Sequence, residues 1–335
     1  MPQDSVGSKA TLDASIIPVG TSVSVKVPAS SANLGPGYDS LGISLAYFDE
    51  LRVTRISQGL EFELTGEGAD VVPHDVTHLV VRAMQQCWAV LGIEELPGLR
   101  IVAHNRIPHS RGMGSSASAI VAGVAAANAL LPVELRLNSQ QLLQVCSDME
   151  GHPDNVAPSL LGNFVISWGT AADWHSLPVS VHPQILPVVA IPDYEVSTQR
   201  ARELIPAQLS HTDAARNSGR TALLSQALTT SPEYLFDATV DFLHQGFRAE
   251  AMAPSAALVD FLRSKGHAAV TSGAGPTVMI FAVGEDERRR VMEAIERAQH
   301  EPTIGSYKHQ DLAWTVLPVN IDTEGVIVLE EESHR

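Results

Sequence analysis

Cysteine and lysine are both scarce in this chain of 335 residues. Cys87 and Cys146 form no CxxC pair and are too few for a disulfide framework in a protein of this size, so a reducing cytoplasm is the predicted location. The chain carries 22 Lys and Arg residues against 38 Asp and Glu residues, a formal charge of -16. Such a charge argues against nucleic acid and membrane surfaces as partners.

Long hydrophobic runs are also missing. The longest, residues 119–131, is rich in alanine, contains Asn128 and is shorter than the roughly 20 residues that a membrane-spanning helix needs. This run predicts a buried helix instead. Residues 1–20 lack the basic start and apolar centre of a signal peptide and are predicted to be a flexible leader. Residues 326–335 are predicted to be an acidic tail.

Several catalytic signatures are absent from the sequence. No Gly-Lys dipeptide occurs, which excludes a Walker A loop, and the HRD and DFG signatures of protein kinases are missing. A GxSxG nucleophile elbow is missing as well, so the sequence lacks the signature of an α/β-hydrolase. If the substrate is anionic, the positive field that attracts it must come from helix N-termini, backbone amides, a metal ion and a few arginines in the binding site.

What is present indicates a two-domain α+β protein. The length suggests two domains, and strands and helices follow one another without the strict alternation of a doubly wound sheet. The predicted domains cover 21–172 and 173–325. The predicted strands are 22–28, 47–56, 60–65, 99–107, 162–168, 185–191 and 268–283. The predicted helices are 77–91, a helix beginning near 115, 139–149, 235–247, 256–265 and 286–299.

The most informative segment is PHSRGMGSSASA at 108–119, a glycine-rich turn that leads from a strand into a helix. Unpaired amides at such a helix start suit a phosphate group, although a plain turn capped by serine has the same spacing. Gly112, Gly114 and Ala117 also match the dinucleotide pattern GxGxxA, with Glu134 as its acidic partner. That match is discounted because Glu134 precedes another helix and does not end a strand.

Three separated motifs together resemble the GHMP small-molecule kinase superfamily. They are PASSANLGPGYDSLG at 28–42, PHSRGMGSSASA at 108–119 and TSGAGPT at 271–277. Within that superfamily, the first motif and EGHPDNVAPSLLGN at 150–163 are similar to the homoserine kinase family, and the resemblance covers about 22–320. Met113 replaces the usual leucine, and the first motif lacks the lysine of several mevalonate-type members. The missing lysine points away from mevalonate kinase.

This resemblance implies the fold, the reaction and the partners. The fold would combine an N-terminal ribosomal-S5-like domain with a C-terminal ferredoxin-like domain. The activity would be transfer of a phosphoryl group from ATP, with Mg²⁺, to the hydroxyl of L-homoserine in threonine biosynthesis. A homodimer is expected because family members commonly form one. Two alternatives stay open: a GHMP kinase for another small alcohol, and a non-catalytic nucleotide or amino-acid sensor with the same fold.

The resemblance also assigns site residues. The residues that would bind ATP are Pro108, His109, Ser110, Arg111, Gly112, Met113, Gly114, Ser115, Ser116 and Ala117. Ser116 and Glu150 would hold Mg²⁺, since a hydroxyl and one carboxylate suit this ion when phosphate and water complete its shell. For Glu150 alone, the alternative is a solvated carboxylate at a helix end.

Homoserine carries an ammonium, a carboxylate and a hydroxyl, and the resemblance supplies a partner for each. Asp39 and Asp154 would face the ammonium, and Asp154 would position substrate rather than accept the proton. The remaining substrate residues are Thr198, Arg202 and Arg248 for the carboxylate, Asn33, His152 and Asn155 for the hydroxyl, and Gly273 and Gly275 for close backbone approach. Asn33 could also serve only the turn, and the two arginines could be surface cations.

Overall fold

A computed structural model describes residues 13–171, 173–308 and 310–331, with side chains as far as residue 329. The first half of the chain combines strands and helices around a central sheet. Its elements are β1 (Ser22–Ala32), β2 (Leu41–Arg55), β3 (Leu60–Gly66), α1 (Leu79–Val90), β4 (Leu99–Asn105), α2 (Ser115–Ala129), α3 (Ser139–Glu150), α4 (Pro153–Leu161), β5 (Phe164–Thr170) and β6 (Asp173–Val179).

The second half builds a smaller sheet with helices around it. Its elements are β7 (Ile185–Pro192), α5 (Thr198–Glu203), α6 (His211–Thr229), α7 (Leu235–Ala238), α8 (Gln245–Arg248), α9 (Ala253–Ser264), β8 (Ala268–Thr271), β9 (Val278–Val283), α10 (Glu285–Ala298), β10 (Ser306–Tyr307), β11 (Gln310–Asp311), β12 (Trp314–Pro318) and β13 (Ile327–Glu331). Strands β12, β7, β9 and β8 form an antiparallel sheet in that order.

The larger sheet has the order β13-β1-β2-β4-β3, and β5 and β6 continue from β2. Strands β3 and β4 run parallel, whereas β2 is antiparallel to β1, β4 and β5. Helices α1 and α2 cover one face of this sheet. The two helices lie so close together that a Cβ added at Gly123 of α2 would be 2.6 Å from the backbone oxygen of Val80 in α1. The small residues of α2 therefore permit a helix that is buried along most of its length.

A second hydrophobic core joins the two halves. Ile43 and Phe164 of the larger sheet share it with Val189 and Met279 of the smaller sheet and with Leu224 of α6. The opposite face of the smaller sheet is covered by α9 and α10. The loops that carry the sequence motifs lie beside this shared core, so the packing of the two halves fixes their relative positions.

Strand pairing crosses the predicted ends of both domains. Strand β6 pairs with β5, so the larger sheet continues past the boundary predicted at residue 172. Strand β13 pairs with β1, so part of the predicted acidic tail is an edge strand of the same sheet. Ile17 of the predicted flexible leader is buried in the core between the larger sheet and helices α1 and α2. Residues 1–12 and 332–335 of the leader and tail lie outside the described part of the chain.

Two predicted elements differ from the observed ones for local reasons. The predicted helix 235–247 is divided into α7 and α8, because the carboxylate of Asp241 accepts hydrogen bonds from three successive backbone amides, at residues 243–245. The predicted strand 268–283 is two strands, β8 and β9, joined by the TSGAGP turn. Within residues 13–171, 173–308 and 310–331, none of the helices has the length and hydropathy that a membrane crossing requires.

Candidate active site

One cleft of about 400 Å³ collects most of the predicted site residues. Its size falls in the range of small-molecule sites, which is roughly 300 to 1,000 Å³. The predicted residues that line it are Asn33, Asp39, Pro108, His109, Ser110, Gly112, Gly114, Ser115, Ser116, Glu150, His152, Asp154, Asn155, Thr198, Arg202, Arg248 and Gly273. Segments far apart in sequence therefore converge on one site.

Four predicted residues do not line this cleft. Met113 and Ala117 are buried in the hydrophobic cores. Gly275 leaves room for Met252, whose sulfur would lie 2.5 Å from a Cβ at that position. Arg111, predicted as an additional phosphate cation, donates hydrogen bonds to the carbonyl oxygens of Pro192 (3.1 Å) and His109 (3.2 Å). Arg111 thus holds the glycine-rich loop against the second half of the protein, and its role at the phosphates stays a prediction.

The glycine-rich loop places a helix start at the cleft. Gly112 and Gly114 have φ values of 76° and 72°, and a Cβ at Gly112 would lie 2.3 Å from the carbonyl oxygen of Ser272. Only glycine fits this conformation and this close approach. Among the described side chains, none caps the N-terminus of α2. Its first amides therefore remain available to an anion, which the helix dipole also favours.

A half-buried carboxylate, Asp49, anchors this loop to the sheet. Its Oδ1 accepts hydrogen bonds from the amides of Arg106 (2.7 Å) and Ile107 (2.9 Å), and its Oδ2 accepts one from Ser118 Oγ (2.9 Å). Burial raises the pKa of Asp49, although these hydrogen bonds oppose the shift. Asp49 was not predicted from the sequence, because nothing in the strand around it marks one acidic residue as a loop anchor.

The two predicted metal ligands meet beside the helix start. Ser116 Oγ donates a hydrogen bond to Glu150 Oε1 at 2.7 Å, which joins the first turn of α2 to the last residue of α3. Burial raises the pKa of Glu150, and the hydrogen bond from Ser116 and the nearby His152 oppose the increase. A hydroxyl and a carboxylate this close fit a hard divalent cation that takes its other ligands from phosphate and water.

The EGHPDN segment ends α3 and begins α4 at the floor of the cleft. Asp154, 2% exposed, lies in the first turn of α4 and contacts His152 Nδ1 through its Oδ1 at 2.5 Å. Burial alone would lower the pKa of His152, but the hydrogen bond and charge of Asp154 outweigh it and raise the pKa. Ser30 Oγ lies 3.1 Å from Asn155 Oδ1. This segment therefore offers a carboxylate, an imidazole and an amide within three residues of one another.

A bidentate ion pair closes the opposite side of the cleft. Arg202 Nη1 and Nη2 lie 2.8 and 2.9 Å from the two carboxylate oxygens of Asp39. These hydrogen bonds raise the pKa of Arg202 further. Asn33 supports the loop, since its Nδ2 donates to Gly273 O (2.9 Å) and its Oδ1 accepts from the Asp39 amide (3.0 Å). The resemblance assigned Asp39 and Arg202 to opposite ends of a substrate, and here each is the partner of the other.

Arg248 is the second guanidinium of the cleft and is 2% exposed. Its Nε donates to Ala201 O, and its Nη1 donates to Gly273 O, each at 3.3 Å. Its remaining nitrogen, Nη2, has no hydrogen-bond partner in residues 13–171, 173–308 and 310–331. The ring of Tyr38 lies below both guanidinium groups, 5.3 Å from Arg248 Cζ and 5.6 Å from Arg202 Cζ. Tyr38 belongs to the first motif, but its neighbours in sequence gave no sign of this contact.

Comparisons with known proteins bear on the family of this chain. The family described as GHMP kinases N terminal domain matches residues 78–163. A homoserine kinase from Corynebacterium aurimucosum is 47% identical over 84% of this chain and 95% of the relative. A homoserine kinase from Clavibacter michiganensis is 42% identical over 95% of this chain and 98% of the relative.

Solved structures share the fold. A homoserine kinase from Cytophaga hutchinsonii superposes with a TM-score of 0.80 at 23% identity, over 92% of this chain and 97% of that one. A mevalonate diphosphate decarboxylase from Staphylococcus aureus reaches a TM-score of 0.60 at 15% identity, over 92% and 98% of the two chains. Identities this low establish the fold alone, and it is the α+β GHMP fold expected from the sequence. Because two bacterial homoserine kinases are 47% and 42% identical to this chain over most of its length, the chain belongs to the homoserine kinase family of GHMP kinases.

Proposed function

We propose that this protein transfers the γ-phosphoryl group of ATP to the side-chain hydroxyl of L-homoserine and so makes O-phospho-L-homoserine. One observation carries the proposal: the uncapped start of α2, beside the Ser116–Glu150 pair, opens into the same cleft as a balanced set of two carboxylates and two guanidinium groups. A phosphate donor and a zwitterionic acceptor would therefore meet in one place. Phosphoryl transfer depends mainly on such positioning and on charge stabilisation.

The nucleotide would occupy the end of the cleft nearest α1 and α2. The α2 amides would hold its phosphates, and the apolar side chains of Val72, Leu79 and Val80 line a wall suited to the adenine ring. Ser116 and Glu150 would hold Mg²⁺, which when bound supplies positive charge to the β and γ oxygens. The negative net charge of the protein gives no general attraction for ATP, so this local arrangement must provide it.

The charges at the other end suit an α-amino acid. Asp39 and Asp154 contribute two negative charges, and Arg202 and Arg248 contribute two positive charges. A zwitterion keeps this balance, whereas a mevalonate-type acid would leave one carboxylate of the protein without a counter-ion. When homoserine binds, its ammonium would replace Arg202 beside Asp39, and its carboxylate would take Arg202 and the Nη2 of Arg248.

Breaking the Arg202–Asp39 pair costs little free energy. The side chains of Arg202 and Asp39 are 42% and 33% exposed, and an ion pair at such exposure contributes only about 0 to 1 kcal/mol. Asn155 and His152 would then direct the substrate hydroxyl toward the γ-phosphate. No side chain needs to accept the proton early, because a largely dissociative transition state requires little deprotonation at its start.

A substrate panel tests the proposal and its alternatives. ADP release is measured with L-homoserine, L-serine, L-threonine, mevalonate and galactose, with and without Mg²⁺. We expect release that depends on Mg²⁺ and is highest with L-homoserine. Preference for another alcohol would favour a different GHMP kinase, and absence of release with every alcohol would favour a sensor. The homodimer, the cytoplasmic location and the part in threonine biosynthesis stay predictions.

Replacing either guanidinium by an ammonium is predicted to weaken homoserine binding selectively. Arg202→Lys and Arg248→Lys should each raise the KM for homoserine about tenfold, with a smaller effect on the KM for ATP, because lysine lacks the planar pair of donors. Arg100→Lys is the control, since Arg100 forms an exposed ion pair with Glu63 on the sheet. Normal homoserine kinetics in both cleft variants would mean that the carboxylate is held elsewhere.

A further inference from the structure

His244 lies behind Arg248 and contacts it directly. The imidazole is 1% exposed, and its Nδ1 lies 3.2 Å from Arg248 Nη1. Its Nε2 lies 2.8 Å from the carbonyl oxygen of Gly35, and Asp241 is 3.8 Å from the same nitrogen. The residue thus links the loop of the first motif, through Gly35, to the guanidinium that faces the cleft.

These contacts determine the tautomer of the ring. A carbonyl oxygen only accepts hydrogen bonds, so Nε2 must carry the hydrogen that is donated to Gly35. A guanidinium only donates, so Nδ1 must be unprotonated to accept from Arg248. Burial, with Arg248 acting in the same direction, lowers the pKa of His244 and keeps the ring neutral, although Asp241 opposes the shift. The ring therefore acts as a rigid acceptor for one N–H of Arg248.

The consequence for Arg248 is a fixed orientation. His244 and Gly273 O hold Nη1, Ala201 O holds Nε, and the ring of Tyr38 lies below the plane. The same Tyr38 ring contacts the imidazole, with the two centroids 5.2 Å apart. With one edge held by the protein, the guanidinium turns Nη2 to the substrate. Loss of the His244 acceptor would leave a buried N–H unpaired and free the guanidinium to turn away.

We infer that His244 is a positioning residue for the acceptor substrate, and that it acts by holding Arg248 in the orientation that receives the substrate carboxylate. This inference rests on the proposed function, because it assumes an acceptor with a carboxylate at Arg248. No role was predicted for His244 from the sequence. A histidine four residues before an arginine on a short helix is no distinctive pattern.

Three substitutions separate positioning from packing. His244→Phe keeps a ring beside Tyr38 but removes the acceptor, and should raise the KM for homoserine about tenfold with the KM for ATP within about twofold. His244→Asn carries an amide oxygen near the position of Nδ1, and should stay within about threefold of wild type. His244→Gln keeps a donor toward Gly35 without an acceptor at Arg248, and replaces the Phe variant if that variant does not fold.

A double-mutant cycle tests whether the effect passes through Arg248. In the Arg248→Lys background, His244→Phe should raise the homoserine KM by less than about twofold further, since the interaction is already lost. His267→Phe is the matched control: His267 is a half-buried histidine paired with Glu287 (3.4 Å) and lies outside the cleft. We expect His267→Phe to change the melting temperature and neither KM.

The outcomes distinguish this inference from the proposed function. An unchanged homoserine KM in folded His244→Phe, with a wild-type enzyme active on homoserine, overturns the role of His244 and leaves the function intact. If the Asn and Phe variants are equally impaired, or if the KM values for homoserine and ATP increase equally, His244 has a packing role. Either result also overturns the positioning role. A wild-type enzyme that does not phosphorylate homoserine overturns the proposed function and, with it, this inference.

Discussion

Glu150→Gln is expected to lower kcat at least about a hundredfold while leaving homoserine affinity nearly intact. The carboxylate lies 2.7 Å from Ser116 Oγ at the phosphate end of the cleft, away from the residues assigned to the acceptor. An amide keeps the shape and can still contact the hydroxyl, but it removes the negative charge that the proposed cation site requires. The Mg²⁺ concentration for half-maximal rate should therefore increase together with the loss of kcat.

The same helix offers a control for this substitution. Asp148 lies two residues earlier on α3, where its Oδ1 accepts hydrogen bonds from Gln144 (2.8 Å) and Trp174 (3.2 Å). Asp148→Asn should leave kcat and the Mg²⁺ dependence unchanged. A Glu150→Gln enzyme with nearly normal kcat at saturating Mg²⁺ would refute the assignment of Glu150 to the metal.

Asp154→Asn is the second substitution with a large expected effect, and we expect the effect to fall on substrate binding. The carboxylate is buried and contacts His152, and it belongs to the balanced set of charges at the acceptor end. A carboxylate that pairs with the substrate ammonium is a poor acceptor for a hydroxyl proton near pH 7. Loss of its charge should therefore raise the homoserine Kd, measured by calorimetry, at least about tenfold.

Activity alone does not separate the two possible roles of Asp154. The alternative role for Asp154 is that of a general base, and loss of a base would also abolish turnover. The general-base mechanism would be restored by a variant that binds homoserine normally yet turns over thousands of times more slowly. A loss of about this size is expected when a base is missing. Asp322→Asn is the control for loss of a buried carboxylate, because Asp322 accepts a hydrogen bond from Ser44 (2.9 Å) outside the cleft.

Local patterns predicted most of the elements that carry the site. The sequence places a strand, a glycine turn and a helix around 99–129, and the structure has β4, the loop and α2 there. In β4, buried and more exposed residues alternate, whereas α2 is buried along most of its length and was predicted from the apolar run at 119–131. The 19-residue helix α6 was not predicted, since only four of its residues are buried and polar residues dominate its sequence.

Contacts between distant segments were the least predictable part of the site. Ser116 and Glu150 were both predicted at one metal site, and the structure brings them into contact although 34 residues separate them. Asp39 and Arg202 are 163 residues apart, and only the packing of the two halves shows that they form a pair. The links from Gly35 to His244 and from His244 to Arg248 depend on the same packing. Sequence motifs indicate candidate residues, whereas the tertiary fold determines which of them meet.

Transfer of a labelled phosphoryl group tests the central claim most directly. The protein is incubated with Mg²⁺, L-homoserine and ATP that carries ¹⁸O in the γ-phosphoryl group, and the products are identified by mass spectrometry and ³¹P NMR. We predict O-phospho-L-homoserine that retains the labelled phosphoryl oxygens and forms in equal amount with ADP. Labelled inorganic phosphate without phosphohomoserine, or no consumption of ATP at all, would contradict the account.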